Sequence, residues 1–236
     1  MVSYNLILQT IGDYVEKCSV TLKGIKKNIE PLVKSLTDTQ EEYELLMEEL
    51  PRFYRDRYNL DHETQWLWDY HDKVYMEENG DAHSVRVPYS AVREGIDGDG
   101  ILLSIHNHPN SCSFQSPADY RQQAQINTKY NISIANDGII ITKNENGYRS
   151  RYVDVERTTF KTINGIIQDF RDTPVAQKIY KDFQDGKLDE ETAEEKLNKE
   201  MSDYFNKDAD KYCEMVNKDL EKDGLKIVSH HIKIEK

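Results

Sequence analysis

Cysteine is scarce in this chain of 236 residues, with Cys18, Cys112 and Cys213 far apart and odd in number. Three isolated thiols cannot build a disulfide framework, and they fit a reducing compartment. Long hydrophobic runs are missing too, since no stretch approaches the ~18–20 apolar residues that a bilayer span requires. Residues 1–20 carry no basic stretch ahead of their apolar positions, so no secretory leader is expected. Positive charge is in deficit, with 31 Lys+Arg against 43 Asp+Glu and a formal net charge of −12. No dense Lys/Arg run offsets that balance, which disfavours nucleic acid and anionic membrane as partners. Internal repeats and low-complexity linkers are absent. The expectation is a soluble, intracellular (cytoplasmic) protein of one or two domains, long enough to bury a real core.

What is present falls into three stretches: a helical segment over 1–57, an α/β unit over 58–155, and a second helical segment over 156–236. In the first, Leu8, Ile11, Val15, Cys18, Leu22, Ile25, Ile29, Leu32 and Leu36 recur at steps of three and four. That is a heptad-like seam, suited either to a hairpin packed on the next domain or to self-association through the N-terminal helix. Pro31 should kink or end the helix near Glu30. A second helix is expected from Asp38, capped with Glu41, burying Tyr43, Leu46, Met47 and Leu50 and stopping before Pro51.

From about Asn59 the pattern shortens. "ETQWLWDY", "KVYMEE" and "SVRVPYSAV" have the aromatic and β-branched character of strands. "GILLSIHNH" is a nearly continuous apolar run, as a buried central strand would be. "SPADYRQQAQINTKY" is expected as a helix with Ser116 at the N-cap and Pro117 in its first turn. "NISIAND", "GIIITKN" and "YRSRYVDV" complete the strands. Beyond Glu156 helices are expected over about 157–171, from Pro174 to about Gly186, and through the charged stretch 189–222, whose composition suits a solvated face. "LKIVSHHIKI" closes the chain as a strand.

The chemistry concentrates in "HNHPNSCSFQSPAD", residues 106–119. On a strand, His106 and His108 face the same way about 6.6 Å apart, so both imidazoles can reach one ion. Asn107 points oppositely, and Pro109 turns the chain off the sheet. Asp119 falls at the third position of the helix opened by Ser116, a rigid place for a third ligand. Two histidines and one carboxylate leave a corner for water, the mark of a catalytic rather than a structural zinc site. Ser116 and Asp119 also fit a plain helix cap, and His-x-His fits two ordinary strand-end histidines, when each is taken alone.

Together, His106-x-His108, seven residues, Ser116-x-x-Asp119 resembles the motif of the JAMM/MPN metalloprotease family over about residues 59–150. Its "HNHP" form is similar to prokaryotic, phage-associated JAMM-like and RadC-type domains. The resemblance implies a cytidine-deaminase-like mixed β-sheet with helices, here flanked by N- and C-terminal helical segments. It implies zinc on His106, His108 and Asp119, and Ser116 either donating to an oxyanion or steadying the ligands. It also implies a glutamate outside the ligand set that takes and returns a proton. Glu63, 43 residues before His106, is the first candidate, with Glu77 and Glu78 behind it.

The activity so implied is amide hydrolysis in a protein or peptide substrate, including a ubiquitin-like one. Selectivity would come from the loops 91–99 and 110–115 and from the helical flanks. A different reading is a non-catalytic interaction module or phage-particle assembly element, with virion association. A nucleic-acid role by analogy with RadC-type proteins is opposed by the charge. Cys112 and the remaining histidines, His62, His71, His83, His230 and His231, are expected to be packing or surface residues.

Overall fold

A computed structural model describes residues 22–69, 75–81, 84–97, 100–109, 112–135 and 138–234. The chain divides into two units, residues 1–56 with 233–236, and residues 57–232. In the first, α1 (Leu22–Leu36) contains Pro31 and α2 (Gln40–Arg57) contains Pro51. α1 does not end at Pro31, and α2 continues past Pro51, before which it was expected to stop. Ile25, Ile29, Val33 and Leu36 are buried on α1, and Leu46, Leu50, Phe53 and Tyr54 on α2. Each such side chain contributes about 1.5–3 kcal/mol by burial, so the stripe on both sides of a proline outweighs its cost of about 3 kcal/mol. The cap also lies one residue later than expected: Glu42 N–H donates to Thr39 Oγ1 (3.2 Å), and Asp38 N–H to the Glu42 carboxylate (2.9 Å). Tyr43 and Met47 are only half-buried. The seam positions Leu8, Ile11, Val15 and Cys18 lie outside the described residues.

The second unit is mixed α/β, built on an open six-stranded sheet of order β2-β1-β3-β4-β5-β6. Its strands are β1 (Thr64–Asp69), β2 (Tyr75–Asn79), β3 (Ile101–Asn107), β4 (Thr128–Ala135), β5 (Gly138–Asn144) and β6 (Ile227–Lys233). All seven residues of β3 are buried, as its apolar run required. β3 and β4 pair in parallel, while β1 with β2 and β3, and β4 with β5, pair antiparallel. A parallel pair needs a crossover, and α4 (Pro117–Gln125) supplies it; two residues on, Asn127, with a φ of 52°, turns the chain into β4. The N-terminus of α4 therefore meets the carboxyl end of β3, the usual place for a site in an α/β sheet.

Two expected strands are helical. "SVRVPYSAV" is irregular to Pro88 and then becomes α3 (Tyr89–Asp97). Pro88 has no N–H for a ladder, but its carbonyl accepts from Val92 N–H (3.0 Å). Ala91 and Val92 pack on Leu67, Ile101 and Ile126. Region 91–97 is thus helix rather than loop. "YRSRYVDV" becomes a 3-10 turn (Arg149–Arg151) and the start of α5 (Tyr152–Arg171). Val155, Thr159, Thr162, Ile166 and Phe170 recur at steps of three and four and are buried, and Asp154 holds Arg151 (3.1 Å) and Arg157 (2.8 Å) across single turns.

α6 (Pro174–Gln184) follows, and the charged stretch divides at Asp208 into α7 (Glu190–Lys207) and α8 (Ala209–Lys222). Val216 and Leu220 join Val155, Ile163, Ile166, Phe205 and Tyr212 in one core with Phe114, Tyr120 and Ile140. The C-terminal helices therefore share a core with the face of the sheet that carries the site. Among the described residues no helix is long and apolar enough to cross a membrane.

Candidate metal centre

β3 carries His106 to its end and His108 one step past it, where the His108 N–H still donates to Ile134 O (2.8 Å) and keeps strand geometry. Ser116 and Pro117 start α4 as expected, and Asp119 is its third residue. Ser116 N–H (2.7 Å) and Oγ–H (2.8 Å) both donate to Asp119 Oδ2, while Asp119 N–H donates back to Ser116 Oγ (3.3 Å). The capping box is real and is also what aims the carboxylate, so the cap and ligand readings are compatible. It commits the Ser116 hydroxyl proton to Asp119, so Ser116 holds that carboxylate in position.

The three side chains converge. His106 Nε2 and His108 Nε2 are 3.0 Å apart, with Asp119 oxygens 3.5 Å from the first and 3.7 Å from the second. An ion about 2.0–2.1 Å from each of three tetrahedral donors sets those donors about 3.4 Å apart. The spacing fits one such ion, and the triad could hold a metal. His108 Nδ1 lies 2.9 Å from the Cys112 carbonyl, which can only accept, so Nδ1 carries the proton and Nε2 is left free for a metal. Cys112 itself is buried and contributes its carbonyl, not its sulfur.

The electrostatics match this arrangement. Burial disfavours charge on His106, yet Asp119 and then Glu63 raise its pKa above the ordinary value. Burial and the neighbouring charge on His106 lower that of His108. Burial would push the Asp119 carboxyl up, but both histidines and the Ser116 N–H hold it well below the usual range. Without a metal, the neighbouring carboxylates thus favour the charged form of His106 against the effect of burial.

Glu63 lines the same cleft as the triad. β1 and β3 set Gln65 opposite His106, and the period of two puts Glu63 on that face, one step nearer the strand ends. Burial raises its carboxyl pKa, Asp119 and Asp81 add to the rise, and His106 and a hydrogen bond from the Val85 N–H oppose it. Glu77 is drawn away, its carboxylate accepting from Arg57 (2.9 Å). Glu78 shares the face of Gln65 but does not line the cleft.

Three contributions were not assigned from the sequence. Asn107, expected only to shape the turn, accepts from Thr64 N–H (2.7 Å) and Thr64 Oγ1 (2.9 Å), and donates to His62 O (2.9 Å). It therefore clamps the residues on either side of Glu63. Gln65 donates to Ser104 Oγ (2.9 Å), but its buried Oε1 has no donor, and buried His106 Nδ1, across the strand pair, has no acceptor among the described residues. Phe114, in a segment expected to be a selectivity loop, is instead buried, stacking on Phe205 (4.9 Å) and meeting Tyr212 edge-on (6.4 Å). The period-two rule already implied the facing of Asn107 and Gln65, but their partners sit on other strands and carry no sequence signal.

His62, His230 and His231 stand outside the triad, and His71 and His83 lie outside the described residues. The cleft holds about 1230 Å³, and its far wall is a face of α7. No protein-family model, curated protein or solved structure matches this chain.

Proposed function

We propose that this chain is a zinc-dependent metallopeptidase of JAMM type, hydrolysing an amide bond in a protein or peptide substrate. The observation that carries the reading is the convergence of His106, His108 and Asp119, at 3.0–3.7 Å, in one cleft with a half-buried glutamate outside the ligand set. Zinc, the metal that two imidazoles and one carboxylate suit, would polarise the scissile carbonyl and bring a water's pKa from 15.7 to about 7.

The chain's own groups supply the rest. His106, His108 and Asp119 hold the ion, and Ser116 fixes the Asp119 carboxylate against rotation. Glu63, with its pKa raised by burial, accepts the proton of the attacking water and delivers it to the amide nitrogen as the C–N bond breaks. Asn107 fixes the backbone on either side of Glu63, and the Val85 N–H donates to its carboxylate.

The test is metal content together with peptide hydrolysis. Purified protein should hold about one zinc per chain, and Glu63→Gln should keep that zinc while hydrolysis falls by at least about 10²-fold. Protein that binds no divalent metal, or a Glu63→Gln variant with full activity, overturns the reading.

A further inference from the structure

The stretch 189–222 suggested only a solvated surface. Folded, one face of α7 borders the metal centre. Glu191, Glu194, Glu195 and Asp203 line the cleft, and Lys199 is the one lysine or arginine among the lining residues. These four carboxylates are exposed and form no ion pair among the described residues. With Glu63 and Asp119 the lining carries six carboxylates, of which a divalent cation on the triad offsets two charges.

From residue 191 to 203 the helix rises about 18 Å, the length of five or six residues of extended chain. Anionic groups spread over that distance match a row of cationic side chains better than a single small ion. The same cleft holds the convergent triad of His106, His108 and Asp119, an independent mark of a ligand-binding site. The aromatic stacking of Phe114 on Phe205 packs α7 against the segment between His108 and Asp119, within one core.

We propose that the cleft selects an extended polypeptide segment rich in lysine or arginine, laid along the acidic face of α7 with one peptide bond at the triad. The seating of the bond rests on the metallopeptidase reading, whereas the charge preference does not. Opposite charge along such a wall steers association and sets partner choice more than it adds affinity, so the preference weakens with salt.

The test uses the full zinc-loaded chain carrying Glu63→Gln, to prevent turnover, and fluorescein-labelled peptides of about twelve residues in which lysine or glutamate alternates with glycine. Anisotropy should show the lysine peptide bound and the glutamate peptide unbound, with affinity falling about tenfold or more between about 50 and 300 mM NaCl. Replacing the wall (Glu191→Gln, Glu194→Gln, Glu195→Gln, Asp203→Asn) should weaken the lysine peptide roughly tenfold. An equal charge change elsewhere (Asp169→Asn, Asp172→Asn, Glu214→Gln, Glu221→Gln) should leave binding within about twofold. Equal binding of the two peptides, binding of neither, or equal effects of the two quadruple variants overturns the proposal. Wild-type protein that binds the lysine peptide through α7 but never cleaves one leaves the charge preference standing and removes the metallopeptidase reading. Protein that cleaves lysine and glutamate peptides equally does the reverse.

Discussion

Asn107→Ala tests whether Glu63, the proposed general base, is held by the strand that carries the two candidate histidine ligands. Asn107 is 1 % exposed and Thr64 fully buried, and three hydrogen bonds join Asn107 to the residues flanking Glu63. Truncation leaves the Thr64 N–H facing a hole and the His62 carbonyl short of a donor. A buried orphan group costs about 1–3 kcal/mol and a lost neutral hydrogen bond about 1 kcal/mol, so the variant should lose roughly 2–4 kcal/mol. That is a large part of an ordinary domain's stability of about 5–15 kcal/mol, yet the protein should still fold at room temperature. No ligand atom is touched, so zinc stoichiometry should not change. Hydrolysis should fall on the order of 10²-fold, since displacement of a catalytic group by about 1 Å has that effect. The assays are urea denaturation, metal analysis and peptide cleavage on one preparation. A stability loss under about 0.5 kcal/mol, or zinc lost in step with activity, would refute the clamp.

Gln65→Leu should weaken zinc binding roughly tenfold in a chelator competition, with Gln65→Glu restoring it, if the Gln65 oxygen accepts from His106 Nδ1 when zinc occupies Nε2. Zinc uptake should release protons and weaken as pH falls through the raised His106 value, by about tenfold per pH unit for each proton displaced; pH-independent affinity would contradict a protonated metal-free cluster. Without metal, the depressed Asp119 pKa contributes stability that is present above the usual aspartate range and lost as pH drops through the folded value. Acid denaturation of Asp119→Asn should therefore be shallower than that of the wild type. Phe114→Ala should cost about 3–5 kcal/mol and lower zinc affinity with it, because the ring joins the ligand loop to α7 and α8. Burial pushes the Cys213 thiol up to about 12, so its raised value favours the fold below the ordinary cysteine range and loses that contribution as pH rises towards 12; in native protein at pH 8 it should resist iodoacetamide.

What could be seen in advance was local. β3 as a buried strand follows from an apolar run, the start of α4 from Ser116 and Pro117, and the direction of His106 and His108 from the period of two. Proline was over-weighted at positions 31 and 51, because its penalty is local while the burial that outweighs it comes from the whole stripe. "SVRVPYSAV" and "YRSRYVDV" have strand composition, but packing against Leu67 and Ile101, and continuity with the buried face of α5, made them helical. Intrinsic β-propensity is a weak preference that tertiary contacts override.

By itself the sequence determined which groups could bind a metal and which elements would carry them, since ligand type, strand period and helix capping all act within a few residues of chain. Only the tertiary structure decided that the parallel crossover brings Asp119 back to the two histidines, that Asn107 grips the strand of Glu63, and that an acidic helix some eighty residues downstream walls the cleft. Those contacts join residues distant along the chain, and their energy depends on burial and on unpaired polar groups, which exist only once the chain has folded.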